Sequence, residues 1–387
     1  MNQKLASKLR GRELGVVPVL VGIIIIWTVL QALNHRFLSS ENLTNLALQM
    51  AAVGTISLGI VFILLLGEVD LSAGSVSGLC GAVLAVLSVR HGMPVLPAVI
   101  LCIVVGATIG LLHGLMVTRL GMPSFVVTLA GLIGWQGLQL YVLGRQGTVN
   151  FPFEGSIARL SDTWVGVPAG SLVVATVLVV SLLATQRTAR LRVAAGLPTR
   201  PLLRTIGPLV AVVVVLEAVV LFLGRDRGVP LTFTLFVAMV AGLDLVLRRT
   251  VFGRRVYAVG GNAEATRRAG VNVARIRIIG FMIASSLAAI GSILAASRLA
   301  AVNQASGGSD TLLNAIAAAV IGGTSLFGGR GRTYAALLGT LVIASITNGM
   351  LLLNLDSSIR FMVTGGVLAV AVAIDSVSRR SAPGARR

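Results

Sequence analysis

Long apolar runs separated by short polar breaks dominate this chain. A helix that crosses a bilayer needs about 20 largely apolar residues. Twelve runs approach that length: 15–33, 44–66, 70–89, 96–117, 122–143, 169–186, 205–223, 229–247, 278–297, 311–328, 333–353 and 359–376. The runs are continuous, whereas strands of a membrane barrel alternate apolar and polar positions, so the pattern predicts helices. The run 70–89 begins at a charged break. The run 311–328 is rich in Ala and Gly and either spans or re-enters. The first run, Gly15 to Leu33, is long enough to be a retained helix rather than a cleaved leader.

Composition agrees. Of 387 residues, 56% are hydrophobic and 12% charged, and mean hydropathy is +0.94. A soluble domain carries roughly 25% charged residues, and a disordered chain has low hydrophobicity. The expected fold class is an all-α polytopic membrane protein of about 12 transmembrane helices, a single transmembrane domain over 1–387. The formal charge of +19 does not point to nucleic acid, because the basic residues lie between apolar runs with no aromatic-interleaved basic face. They mark topology instead. With the N-terminus inside, 24 of the 32 Lys and Arg fall in inner segments and 8 in outer ones. Both termini are therefore expected in the cytoplasm, as tails 1–14 and 377–387, and the chain in the cell's cytoplasmic membrane.

Several chemistries are missing. The two lysines, Lys4 and Lys8, follow Gln3 and Ser7, so no Gly-Lys-Ser/Thr phosphate loop exists. His35, His91 and His113 are isolated, and Cys80 and Cys102 sit in apolar stretches, with no metal-site or redox spacing. The stretch Gly322 to Arg332 does not match a dinucleotide fingerprint. No catalytic residue, metal or bound cofactor is expected, and the chain does not read as an enzyme of these kinds.

What remains is polar chemistry at the breaks. Glu68, Asp70 and Ser72 lie in Leu66-Gly-Glu-Val-Asp-Leu-Ser-Ala-Gly-Ser75. Two readings stand. Asp70 caps a helix beginning at Leu71 while Glu68 faces cytoplasmic water; or the break lies at membrane depth, where non-helical backbone lines a cavity, and these groups bond a polar solute. Glu217, within 205–223, is a functional candidate by its depth, or a packed group at a helix contact. Asp244 has Arg248 four residues on, the spacing of a structural ion pair. Gly106, Gly110 and Gly114 form a small-residue stripe for close helix packing. Gly67, Leu71, Gly74 and Gly322, Leu326, Gly329 share one spacing and suggest an internal repeat. In the inner loop 248–277, residues from Asn262 read as a short helix. Asn262 is the N-cap, Glu264 sits in the first turn, Arg267 and Arg268 in the last, and Gly270 ends it. This is either a solvated basic loop or a docking helix for a cytoplasmic partner.

Four stretches resemble the permease subunits of bacterial ABC importers for monosaccharides, within the branched-chain amino-acid permease-like superfamily. They are EVDLSAGS (68–75), MPSFVVTLAG (122–131), FGRRVYAVGGNAEATRRAGVNV (252–273) and NAIAAAVIGGTSLFGGRGR (314–332). Glu68 and the insertion 169–228 resemble the xylose branch. The resemblance implies a ten-helix core, with a first half 15–168, an inserted helix pair 169–228 and a second half 229–376. It implies a homodimer enclosing one path, cytoplasmic ATPase subunits that use the ATP, and an extracellular or periplasmic sugar-binding protein. It makes Asn262, Glu264, Arg267, Arg268, Gly270 and Asn272 candidates for coupling to the ATPase, and Asn314 a pathway candidate beside Glu68, Asp70 and Ser72. The chain departs from the family pattern at Leu312-Leu313-Asn314, where an acid is usual nearby and Asp310 is available, and at Ala269-Gly-Val-Asn272. The rival reading is a secondary carrier coupled to an ion gradient through Glu217, Glu68 or Asp244.

Overall fold

The computed structural model describes residues 17–197 and 202–380. The predicted tail 1–14, residues 198–201 of the inner loop and the last part of the C-terminal tail lie outside the described residues.

Every predicted apolar run contains a helix. In chain order they are α1 (Val17–Leu33), α2 (Ser40–Leu65), α3 (Ala73–Ala85), α4 (Val95–Arg119), α5 (Ser124–Leu143), α6 (Ser156–Ser161), α7 (Val167–Ala194), α8 (Leu202–Leu223), α9 (Leu231–Arg249), α10 (Val251–Gly261), α11 (Ala263–Arg268), α12 (Val273–Leu299), α13 (Ser309–Ile321), α14 (Tyr334–Leu352) and α15 (Ser357–Arg380). A π-helical turn, Val86–Arg90, extends α3. Among the described residues, nine helices are long and apolar enough to cross a membrane. The protein is an all-α polytopic membrane protein. Two small antiparallel pairs pin loops at one end: β1 (Thr148–Asn150) with β4 (Ala301–Asn303), and β2 (Trp164–Val165) with β3 (Val229–Pro230).

Local chemistry sets several boundaries. Ser39 caps α2, its Oγ accepting from the Asn42 amide at 3.2 Å. Asn272 caps α12, its Oδ1 accepting from the Arg275 amide at 2.9 Å. The run 311–328 is cut short at Ile321, because Gly322 packs against the backbone of Ala335 and the chain then turns through Gly323, Gly328, Gly329 and Gly331, all with positive φ. Thirteen residues rise only about 20 Å, less than the roughly 30 Å of a bilayer's apolar core. As a helix, α13 is therefore too short to cross a bilayer by itself.

The core is the long pair α2 and α12. They run antiparallel, since Gly59 meets Ala284 while Gly291 meets Ala52 and Ile56. The predicted glycine stripe lies on α12: a Cβ at Gly106 would sit 2.7 Å from the Ser285 carbonyl and one at Gly114 2.7 Å from Ile278 Cα. Around this pair the packing repeats. α3 and α4 pack on α12, as α13 and α14 pack on α2; α5 packs on α3, as α15 packs on α13. Because α2 and α12 are antiparallel, the two four-helix units have inverted topology. The glycine spacing noted in the sequence is not the mark of this repeat. Its two segments occupy different places in the two units, and they touch each other directly: Gly67 and Gly328 are in close contact. The inserted helices α7 and α8 pack mainly on one another, through Gly170 against Val220.

Candidate functional site

The break between α2 and α3 is buried. Glu68, Asp70 and Ser72 are 8%, 2% and 0% exposed. The helix opens at Ala73, not Leu71, and Asp70 is not its simple cap: Oδ1 accepts from the Ser72 amide at 2.8 Å and from the Ser72 hydroxyl at 2.6 Å. Nor does Glu68 face water. Its Oε1 lies 2.8 Å from Nε of Arg277, in the second turn of α12. Desolvating two such charges is costly unless they meet, which explains why the acid and the base occur together.

A polar face of α5 completes the break. The Val69 amide donates to Ser124 Oγ at 3.3 Å, and Thr128 Oγ1, which donates to the Ser124 carbonyl at 2.9 Å, lies 3.3 Å from the Val69 carbonyl. One turn on, Gly131 makes room for His113 of α4, whose Nε2 accepts from Trp135 Nε1 at 2.9 Å. That bond leaves the imidazole proton on Nδ1. Sequence reasoning missed this face, although Ser124, Thr128, Gly131 and Trp135 recur at helical spacing within an apolar run.

The second break, between α12 and α13, reaches the first. Gly74 of α3 abuts Gly307 and Leu312, and Gln139 of α5 donates to the carbonyls of Asn303 at 3.1 Å and Ser306 at 2.9 Å. The N-termini of α3 and α13 thus lie side by side. Neither has a side-chain cap bond, so both present backbone amides and the positive end of a helix dipole. Asn314 is half-buried on α13, two residues past the Leu312 contact.

A second assembly, built from the loop 248–277, sits under the break. α11 forms as the sequence predicts: Asn262 Oδ1 accepts from the Ala265 amide at 2.9 Å, and Gly270 follows with φ +80°. Glu264 pairs with Arg267 at 3.0 Å and Arg268 at 3.2 Å, and all three side chains are more than half exposed. Asn272 serves α12 rather than α11. The preceding helix, α10, was not separately expected; Thr250 caps it and Val256 and Val259 bury one face. Thr266 ties α11 to it, its hydroxyl shared between the Asn262 carbonyl at 2.7 Å and the Ala258 carbonyl at 2.9 Å. Gly260, at the end of α10, touches the Leu65 carbonyl and Gly329, while the Gly329 amide donates to Leu65 at 3.0 Å. Tyr257 donates to the Gly331 carbonyl at 2.9 Å. Burial, then the nearby Asp244, raises its phenol above the ordinary range. The exposed helix, α10, the glycine loop 322–333 and the buried break are therefore one contiguous stack.

The family model for the permease component of branched-chain amino acid transport systems matches residues 42–372. The chain belongs to this permease family. The permease is 34% identical to the xylose transport system permease protein XylH of Escherichia coli, over 97% of this chain and 95% of the relative. It is 33% identical to XylH of Haemophilus influenzae, over 96% and 99%. It is 31% identical to the ribose import permease protein RbsC of Bacillus subtilis, over 92% and 91%. No solved structure matches the permease.

Glu217 stands apart from both regions. Its Oε1 accepts from Ser171 Oγ at 2.6 Å, joining α8 to α7 within the inserted pair. Asp244 makes the expected ion pair with Arg248, at 2.9 Å. Among the described residues no group of three or more metal-ligating side chains is found.

Proposed function

We infer that this chain is the membrane-spanning permease subunit of an ATP-driven importer that carries a monosaccharide, xylose or a related pentose, across the cytoplasmic membrane. The near full-length similarity to xylose and ribose permeases supports the class of solute. Cytoplasmic ATPase subunits dock on α11, an extracellular or periplasmic binding protein delivers the sugar, and two copies of the permease enclose one path in the lipid bilayer. Both termini lie in the cytoplasm.

The observation that carries the coupling reading is the stack. α11 is exposed, capped and held to α10, and the end of α10 rests on the backbone of the α2–α3 break. A displacement of α11 by a closing ATPase reaches α10 through the chain and the Thr266 tie, and the break through the backbone contact of Gly260 with Leu65. The paired N-termini of α3 and α13, with Asp70, Ser72 and Asn314 close by, offer donors and acceptors to sugar hydroxyls once the break opens.

The test is reconstitution in proteoliposomes with the ATPase and binding protein. Xylose uptake is expected to require ATP inside and all three components, and to survive a protonophore. Uptake by the permease alone that collapses with the proton gradient would overturn the reading. The gradient-coupled alternative has little support, because Glu217 serves a peripheral helix pair and Glu68 is committed to Arg277.

A further inference from the structure

At the end of the bundle away from α10 and α11, a cavity of about 310 Å³ opens between the start of α2, the end of α12 and the end of α14. Asn42, Asn45 and Gln49 line it from one face of α2, Asn348 from α14 and Arg298 from the last turn of α12. Leucines of α2 and α14 supply its apolar wall.

The hydrogen bonds show what is left over. Asn42 Nδ2 donates to the Phe37 carbonyl at 2.7 Å and to Asn348 Oδ1 at 2.9 Å, which leaves Asn42 Oδ1 as an acceptor and Asn348 Nδ2 as a donor. Asn45 Oδ1 accepts from Arg227 at 2.9 Å, leaving its amide group free to donate. The Gln49 side chain has no hydrogen-bond partner among the described residues, and no described carboxylate lies within ion-pairing distance of Arg298. A guanidinium at a helix C-terminus suits the dipole, which accounts for Arg298 alone. It does not account for four carboxamides converging on the same space.

We propose that this cavity is a receiving site for a neutral, polyhydroxylated solute of monosaccharide size. Each sugar hydroxyl both donates and accepts, and so does the unspent set here. The guanidinium fork adds two parallel donors for neighbouring hydroxyls. The volume lies at the small end of ligand cavities, and the leucines face the C–H surface of a ring. The choice of sugar rests on the importer reading; the geometry of the cavity does not.

The test uses the full chain in lipid nanodiscs, without ATPase or binding protein, and saturation-transfer NMR with D-xylose. Transfer is expected, and Gln49→Leu and Arg298→Gln should each weaken binding about tenfold, the loss of one good hydrogen-bonding group. Arg298→Lys should lose less, and Glu217→Gln, remote from the cavity, nothing. Gel filtration shows which variants fold; if Arg298→Gln does not, Gln49→Leu and Asn45→Leu carry the test. Absence of transfer to the wild type, or equal transfer to all folded variants, overturns the proposal. So does a result in which the variants keep xylose contact but no longer capture the sugar-binding protein, which would make the cavity a dock for that protein's acidic side chains. Failure of ATP-driven uptake in proteoliposomes, with xylose contact intact, would instead count against the importer reading alone.

Discussion

Nε of Arg277 lies 2.8 Å from Oε1 of Glu68, across 209 residues of chain, with the arginine about a quarter exposed and the glutamate about a tenth. The pair ties the second turn of α12 to the α2–α3 break. Removing one partner strands the other charge in a poorly hydrated place. Glu68→Gln or Arg277→Gln is expected to cost about 3 kcal/mol, the low end for buried pairs because the arginine is partly solvated. The exchanged pair, Glu68→Arg with Arg277→Glu, should regain part of that. Thermal unfolding in detergent reads both; single variants that melt with the wild type would remove the pair from the stability account.

Gly260 and Gly261 are neighbours with opposite tolerances. A Cβ at Gly260 would enter the Leu65 carbonyl and come within 2.6 Å of the Gly329 amide nitrogen, whereas one at Gly261 meets nothing within 4 Å. Gly260→Ala should destabilise by about 1–3 kcal/mol or more, as overpacking against backbone does, and impair transport. Gly261→Ala should be neutral or stabilise by a few tenths of a kcal/mol through helix propensity. Equal melting temperatures for the two variants would show that α10 does not dock as described.

Arg267 and Arg268 pair only within their own helix, at exposed positions. Such pairs contribute about 0.3–0.5 kcal/mol each, so replacing both by Ala should lower stability by less than about 1 kcal/mol. Retention of the ATPase through purification should nevertheless fall sharply, and Arg267→Glu should uncouple ATP hydrolysis from uptake. Full retention in the folded double variant would move the docking surface elsewhere.

The Tyr257 phenol is raised above its ordinary value of about 10 by burial and by Asp244. A group whose pKa rises on folding stabilises below its unfolded pKa and loses that contribution as pH climbs through the folded value. The bond to Gly331 should therefore hold through neutral pH and fade only in strongly alkaline buffer. Tyr257→Phe should cost about 1 kcal/mol at neutral pH and flatten the alkaline loss of stability. Urea unfolding across that range measures both.

Glu217→Gln keeps an acceptor for Ser171 and removes the titratable group. ATP-driven uptake by the reconstituted complex should be unchanged. A complete loss in folded protein would reopen a proton-coupled mechanism at this residue.

Much of the fold was legible because its signals are local. Run length located the helices, and Asn262, Glu264 and Gly270 outlined α11 through capping and dipole chemistry. The spacing of Asp244 and Arg248 implied their pair, and the stripe from Gly106 to Gly114 implied a close helix contact. The break was legible as polar residues between apolar runs, but its surroundings were not. Nothing near Glu68 in the chain points to Arg277. The shared glycine spacing suggested a repeat in the wrong place, since glycine marks close approach and not equivalence.

By itself the sequence determined the class of protein, the positions of its helices and the capped helix in the loop 248–277. Hydrophobic run length and cap residues act within a few turns of chain, so no partner is needed to read them. The tertiary structure decided where α13 stops, which charges meet, that two four-helix units are inverted around α2 and α12, and that α10 rests on the break. Those outcomes depend on contacts between segments up to 300 residues apart. An apolar or glycine pattern records that a surface is buried, while only the packed chain selects what lies against it.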